Sequence, residues 1–209
     1  MPAEQTRPKR ALPPGAWDCH THVFGPYARF PLAAERSYTP PKATTEDYLA
    51  MLDRAGLAHG VLVHPSAYGP DHAALYDALE RTGTRLRGTG VATAETPESE
   101  FARMHRCGVQ DPAFQGLLAL VADGRVWVKM TPARNSKSFP DYTDVRPFHD
   151  ALARANPDRL IWGSDWPYLR MGDATPDAGH LLDLLDAWCG DETLRRKILV
   201  DNPARLYGA

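Results

Sequence analysis

Asp18-Cys19-His20-Thr21-His22-Val23, set against Leu160-Ile161-Trp162-Gly163-Ser164-Asp165-Trp166-Pro167, decides how this chain reads. Each stretch reads as a short strand. Side chains on a strand alternate faces, so His20 and His22 point the same way. Cys19 points to the face opposite Asp18 and His20 and reads as packing. Asp165 ends the second strand. Two imidazoles and a carboxylate form a set that binds a divalent cation such as zinc, or that moves a proton to or from a bound water. The pair of motifs points to a hydrolase on a parallel barrel. The plainer readings are one core and one surface histidine, and an aspartate that caps a helix before Pro167.

Working outward, strand and helix alternate. Strands are expected over 17–23, 59–64, 85–92, 126–130 and 160–163. Helices are expected over 46–55, 71–81, 97–108, 112–122, 145–155, 178–189 and 191–200, with 202–207 as a closing tail. Thr45 is read as the cap of the first helix, with Tyr48, Leu49 and Leu52 on its apolar face. Gly56 ends that helix, because a residue without Cβ turns left-handed cheaply. Near-continuous apolar strands alternating with helices mean a parallel sheet covered by helices, an α/β fold. The polar residues with chemical potential fall just after strands, where such folds place their active sites. One joint breaks the rule: two helices meet at 108–111 with no strand between them.

Length and composition narrow the class. The 209 residues are 43% hydrophobic, enough for one domain with a core. A net charge of -2 and no basic block interleaved with aromatics argue against a nucleic-acid partner. No window approaches the roughly 20 apolar residues of a membrane helix. Residues 1–15 read as a disordered leader, since Pro13-Pro14-Gly15 follows the basic Arg7-Pro8-Lys9-Arg10 where a signal peptide would be apolar. Cys19, Cys107 and Cys189 are odd in number and widely spaced, which fits free thiols and a cytoplasmic setting.

Other residues are weaker candidates. Arg134, beyond the fourth strand, offers a planar fork for a carboxylate, or is a solvated loop arginine. Lys129 faces either the interior or the surface. Ser66 and Tyr68 follow the second strand, and Tyr38 lies in the first long loop; hydroxyls there orient an anionic or lactone oxygen. Ser66 lacks the Gly-x-Ser-x-Gly elbow of a nucleophile. His59, His64, His72, His105, His149 and His180 stand in no pattern that singles them out.

Six segments in order resemble one family. They are Asp18 to Pro26, Arg36 to Pro40, Val63-His64-Pro65-Ser66-Ala67-Tyr68-Gly69-Pro70-Asp71, Val126-Trp127-Val128-Lys129, Leu160 to Pro167, and Asn202-Pro203-Ala204-Arg205-Leu206-Tyr207. Together they resemble the amidohydrolase-related family (amidohydrolase family 2), and within it the 2-pyrone-4,6-dicarboxylate lactonase group. The resemblance implies a (β/α)₈ TIM barrel that opens an ester, lactone or amide with an activated water. It implies Asp165 as general base, His20 and His22 beside it, and Arg134, Tyr38, Ser66 and Tyr68 around a small carboxylated substrate. It also implies His20, His22 and Asp165 as ligands where a metal is used; some members of the family bind zinc, and the pyrone lactonase type works without a required metal.

The same resemblance exposes a gap. Relatives carry further strands after the segment matching Met104 to Gly108, and one of these supplies a third active-site histidine. Three middle strands, on the order of 80 residues, are missing by that measure, from a barrel that ordinarily takes about 250 residues. The expectation is therefore an incomplete barrel of about five parallel strands over 16–209, with a deletion junction at 108–111 and two open edges that favour self-association. Rival readings are a catalytically impaired remnant that binds metal or self-associates, and a decarboxylase or lactone isomerase on the same scaffold.

Overall fold

The computed structural model describes residues 5–69, 71–89, 112–133 and 136–208. The 108–111 junction, the helix expected over 97–108, and Arg134 lie outside them.

Among the described residues the strands are β1 (Trp17–Thr21), β2 (His59–Val63), β3 (Leu86–Thr89), β4 (Val128–Met130) and β5 (Leu160–Trp162). They form two parallel ladders, β1-β2-β3 and β4-β5. A parallel bridge from Thr21 to Trp166 joins the two ladders. There the Asp165 amide donates to the His20 carbonyl at 2.8 Å and the His22 amide donates to the Trp166 carbonyl at 2.9 Å. The spatial order is thus β4-β5-β1-β2-β3, with the last strand beside the first.

Among the described residues the α-helices are α1 (Thr45–Ala55), α2 (Ala73–Thr82), α3 (Pro112–Ala122), α4 (Arg146–Ala155), α5 (Ala178–Cys189), α6 (Glu192–Arg196) and α7 (Asn202–Tyr207). Thr44, not Thr45, caps α1. Its hydroxyl accepts from the Asp47 amide while the Asp47 carboxylate accepts from the Thr44 amide. This reciprocal box needs an acidic side chain three residues on, which Thr44 has and Thr45 lacks. The buried face of α1 is Tyr48, Met51, Leu52 and Ala55, with Leu49 at its margin. Gly56 turns left-handed at φ 79° and stops the helix, as expected. The segment expected as one helix over 191–200 breaks: α6 passes through a π-turn (Lys197–Asp201) into α7, so the tail is itself helical.

The sheet buries both faces. Leu62, Leu86, Leu160 and Trp162 pack with α1, α2 and α5 in the larger core. Trp17, Cys19, Val61 and Ile161 form a smaller cluster with Trp127, Leu206 and Tyr207. Full burial of one large aliphatic or aromatic side chain contributes about 1.5–3 kcal/mol. Register places Lys129 opposite Ile161 and so on the face of the smaller cluster. That answers the question its sequence position left open. Burial there lowers the Lys129 pKa.

Residues 5–15, expected as part of a disordered leader, lie along α5 instead. The Thr6 amide donates to the Asp177 carboxylate, Gln5 accepts from the Ala178 amide at 2.7 Å, and Arg10 pairs with Asp186 and Glu192. The physical reason is complementarity: the basic run meets the acids of α5 and α6. No helix among the described residues is long and apolar enough to cross a membrane.

Asn202 ties the start of α7 to the sheet. Its amide donates to the carbonyls of Pro157 and Leu160, both at 2.8 Å, and the residue is buried. Asn202→Ala strips both carbonyls of their donor. The expected cost is about 1–3 kcal/mol, read as a lower urea midpoint with an unchanged slope.

Candidate active site

The site grows from an irregularity in β1. Asp18 registers with Gly60, but Thr21 registers with Leu62, so two residues of β1, Cys19 and His20, oppose Val61 alone. This is a β-bulge, a device that re-aims side chains beside active sites. Gly60 and Leu62 share a face, so Asp18 and Thr21 share it too, although three residues apart. The bulge frees His20 and His22 to meet on the other side. The expected common face of the two histidines is present. Asp18 does not share it, contrary to simple alternation, and Cys19 packs opposite Asp18 with Trp17, Val61 and Ile161.

His20, His22 and Asp165 converge. His20 Nε2 lies 3.6 Å and His22 Nε2 3.7 Å from Asp165 Oδ1, and the two rings meet edge to face at 5.2 Å. One ligand atom from each residue falls within 4.8 Å of the others. Asp165 is buried and holds a left-handed backbone at φ 64°. Aspartate tolerates that region better than most residues, at a cost on the order of 1–3 kcal/mol, and such strain clusters at functional sites.

The tautomer of His22 follows from its partner. His22 Nδ1 lies 2.9 Å from the Val63 carbonyl, which can only accept. Nδ1 therefore carries a proton, and Nε2 faces Asp165 Oδ1. An imidazole lone pair facing a carboxylate oxygen needs positive charge between them: a proton on Nε2 or a cation. A cation held by one imidazole nitrogen whose other nitrogen is tied to a carbonyl is the usual arrangement of a histidine ligand. The donor set fits a divalent ion of the zinc type.

Asp18 lies behind this trio. Its buried carboxylate accepts from the Ser164 amide (2.8 Å), the Ser164 hydroxyl (2.5 Å), the His20 amide (3.2 Å) and the Tyr48 hydroxyl (3.1 Å). Tyr48 reaches it across Gly60, where a Cβ would lie 2.3 Å from the phenol oxygen. Burial pushes the Asp18 carboxyl up to about 6 against the pull of these donors.

The other expected site residues are placed as follows. Tyr68 is buried and its hydroxyl accepts from the Gly25 amide at 2.7 Å; its ring stacks on Phe24, which lies beside His22. Ser66 is exposed in the turn after β2. Tyr38 is half-buried against the larger core. Among the described residues, neither Ser66 nor Tyr38 makes a hydrogen bond or ring contact to the trio. His64 is buried with Nε2 on the Gly69 carbonyl (2.7 Å), and burial lowers its pKa. The sequence reading passed over Ser164, Tyr48 and Gly163. The only signal for them was their place in or opposite the two strand motifs.

A sequence model of the amidohydrolase family matches residues 17–110 and 99–209, nearly the whole chain in two segments. The chain belongs to the amidohydrolase family. The match covers both strand motifs, and this amidohydrolase is a hydrolase with a TIM-barrel-like α/β fold. It is 38% identical to a 4-sulfomuconolactone hydrolase of Rhizobium radiobacter, covering 95% of this chain and 91% of that enzyme. It is 28% identical to a 2-pyrone-4,6-dicarboxylate hydrolase of Comamonas testosteroni, covering 98% and 94%. The first alignment spans 273 positions, more than the 209 residues of this chain can fill. An Agrobacterium tumefaciens crystal structure superposes with a TM-score of 0.81 at 22% identity, covering 98% of this chain and 97% of that one. A Burkholderia multivorans amidohydrolase with bound zinc superposes with a TM-score of 0.54 at 16% identity, covering 94% and 99%.

Proposed function

We propose that this amidohydrolase opens a small anionic lactone with an activated water, Asp165 acting as general base. The observation that carries the reading is the convergence of His20, His22 and Asp165 where β1 and β5 end side by side. The names of the relatives support a lactone as substrate: one acts on a sulfonated and one on a dicarboxylated ring.

In this reading Asp165 takes a proton from water as the water oxygen bonds to the lactone carbonyl carbon. The ring C–O bond then breaks, and the proton passes to the departing oxygen. His20 and His22 orient the water and balance the carboxylate. His20, His22 and Asp165 would hold a divalent ion of the zinc type, which supplies Lewis-acid polarisation when bound. Arg134 pairs with the substrate's anionic group, and the hydroxyls of Tyr38, Ser66 and Tyr68 line the approach.

A second reading has its own support. The family match comes in two segments, 17–110 and 99–209, that overlap over 99–110, and the alignments to relatives are longer than the chain. We therefore propose that residues 16–209 form one domain shortened near 108–111, which favours pairing with a second copy along any sheet edge left open by the shortening. A catalytically impaired remnant is the alternative in that case.

The test is turnover by the full chain. Purified protein, with and without added Zn²⁺, is given muconolactone-type and pyrone-dicarboxylate lactones, and ring opening is followed by absorbance. Turnover that rises with protein concentration is expected. A folded, monomeric or dimeric chain that opens none of them with zinc present sinks the hydrolase reading in favour of the remnant.

A further inference from the structure

The backbone around Asp165 is held on both sides by one buried pair. Asp165 sits left-handed at φ 64°, a conformation that does not hold itself. Immediately before it, Ser164 gives both its amide and its hydroxyl to Asp18 of β1, at 2.8 and 2.5 Å. Immediately after it, the Trp166 amide donates back to the Ser164 hydroxyl oxygen at 3.1 Å. The Trp166 carbonyl accepts from the His22 amide and the Thr21 hydroxyl, both at 2.9 Å. Asp18 also accepts from the His20 amide at 3.2 Å. One carboxylate thus touches the backbone of His20, the Ser164 amide one residue before Asp165 and, through the Ser164 hydroxyl, the Trp166 amide just after it. Asp18 and Ser164 are fully buried, at 0% exposure each.

We infer that Asp18 and Ser164 are positioning residues: their buried pair sets the separation and aim of His20 and Asp165 across the β1–β5 joint. Tyr48 serves as the internal contrast. It donates to the same carboxylate at 3.1 Å but comes from α1, and its ring meets that of Trp166 at 5.4 Å, a ring contact that phenylalanine keeps. Removing its hydroxyl takes one bond from Asp18 and leaves the joint between the strands intact. Removing the Ser164 hydroxyl takes one bond from Asp18 and also unties Trp166.

The kinetic arm of the test rests on the lactone-hydrolase reading; the spectroscopic arm does not. Ser164→Ala and Tyr48→Phe are compared with the full wild-type chain by lactone kinetics, thermal unfolding, and ring ¹H–¹⁵N correlation spectra of the histidines. A shift of catalytic groups by about 1 Å costs on the order of 100-fold in rate. Ser164→Ala is expected to lower kcat about 100-fold with KM within about twofold, and to move the ring signals of both His20 and His22. Tyr48→Phe is expected to lower kcat less than about fivefold and leave those signals in place, while unfolding at a similarly reduced temperature. Should Ser164→Ala fail to fold, Asp18→Asn, which keeps the side-chain shape, is expected to move the same two signals. Unmoved His20 and His22 signals in Ser164→Ala or Asp18→Asn, or equal losses in Ser164→Ala and Tyr48→Phe, overturn the inference and leave an ordinary buried hydrogen bond. If wild-type protein opens no lactone, the functional reading fails, and the ring signals alone decide the positioning role.

Discussion

Asp165→Asn is expected to lower kcat for lactone opening by about 10³-fold, within the range that general-base catalysis contributes. Asparagine keeps the size and shape of the side chain but takes up no proton at neutral pH. It also removes the negative charge that faces His20 Nε2 and His22 Nε2 at 3.6 and 3.7 Å. The variant isolates chemistry from folding, because asparagine tolerates a left-handed backbone at least as well as aspartate. The backbone bonds from Asp165 to His20 and from His22 to Trp166 do not involve the replaced group. The measurement is kcat at saturating lactone beside the unfolding temperature. A near-native unfolding temperature with kcat down by three orders of magnitude is the expected pair. A kcat within tenfold of wild type would mean that some other group takes the proton.

Gly163→Ala should have the second large effect, by closing the space in which β1 and β5 meet. A Cβ on Gly163 would lie 2.4 Å from His20 Cβ and 2.9 Å from the His20 backbone nitrogen. Neither atom is the end of a flexible side chain, so a strand must move. The opposing strand carries His20, and the Asp18–Ser164 pair spans the same joint. Overpacking of a tight site costs typically about 1–3 kcal/mol, and here the upper end is expected because backbone resists. The displacement also separates His20 from Asp165, so kcat/KM should fall on the order of 100-fold even where the protein is still folded. Denaturant unfolding and kinetics well below the unfolding transition check the two parts. Gly116→Ala on α3 is the control, since nothing lies within 4 Å of its added Cβ; a small gain in stability of about 0.5–1 kcal/mol is expected there. Equal behaviour of the two alanine variants would show that the β1–β5 joint is not tight.

Much of the site was legible because it is local. His20 and His22 are two residues apart, and the period of a strand aims them together without knowledge of any neighbour. Asp165 could be picked out because it follows an apolar run and stands where α/β strands end. Gly56 was readable as a helix stop for the same kind of reason. The cap of α1 was misread by one residue, although the reciprocal partner Asp47 was in view. The bulge at Cys19 and His20 was not legible: it exists only in the register between β1 and β2, strands about 40 residues apart in sequence. The leader was misjudged because its partners, the acids of α5 and α6, lie at the other end of the chain.

By itself the sequence determined the alternation of strand and helix, the family through its two strand motifs, and the identity of the three groups that meet. These depend on spacing within single segments. Tertiary structure alone decided that a bulge turns Asp18 away from the histidine face and that Asp18 grips Ser164 from 146 residues away. A buried carboxylate must find donors wherever the fold brings them, and here it finds them on both sides of the joint that aligns His20 with Asp165.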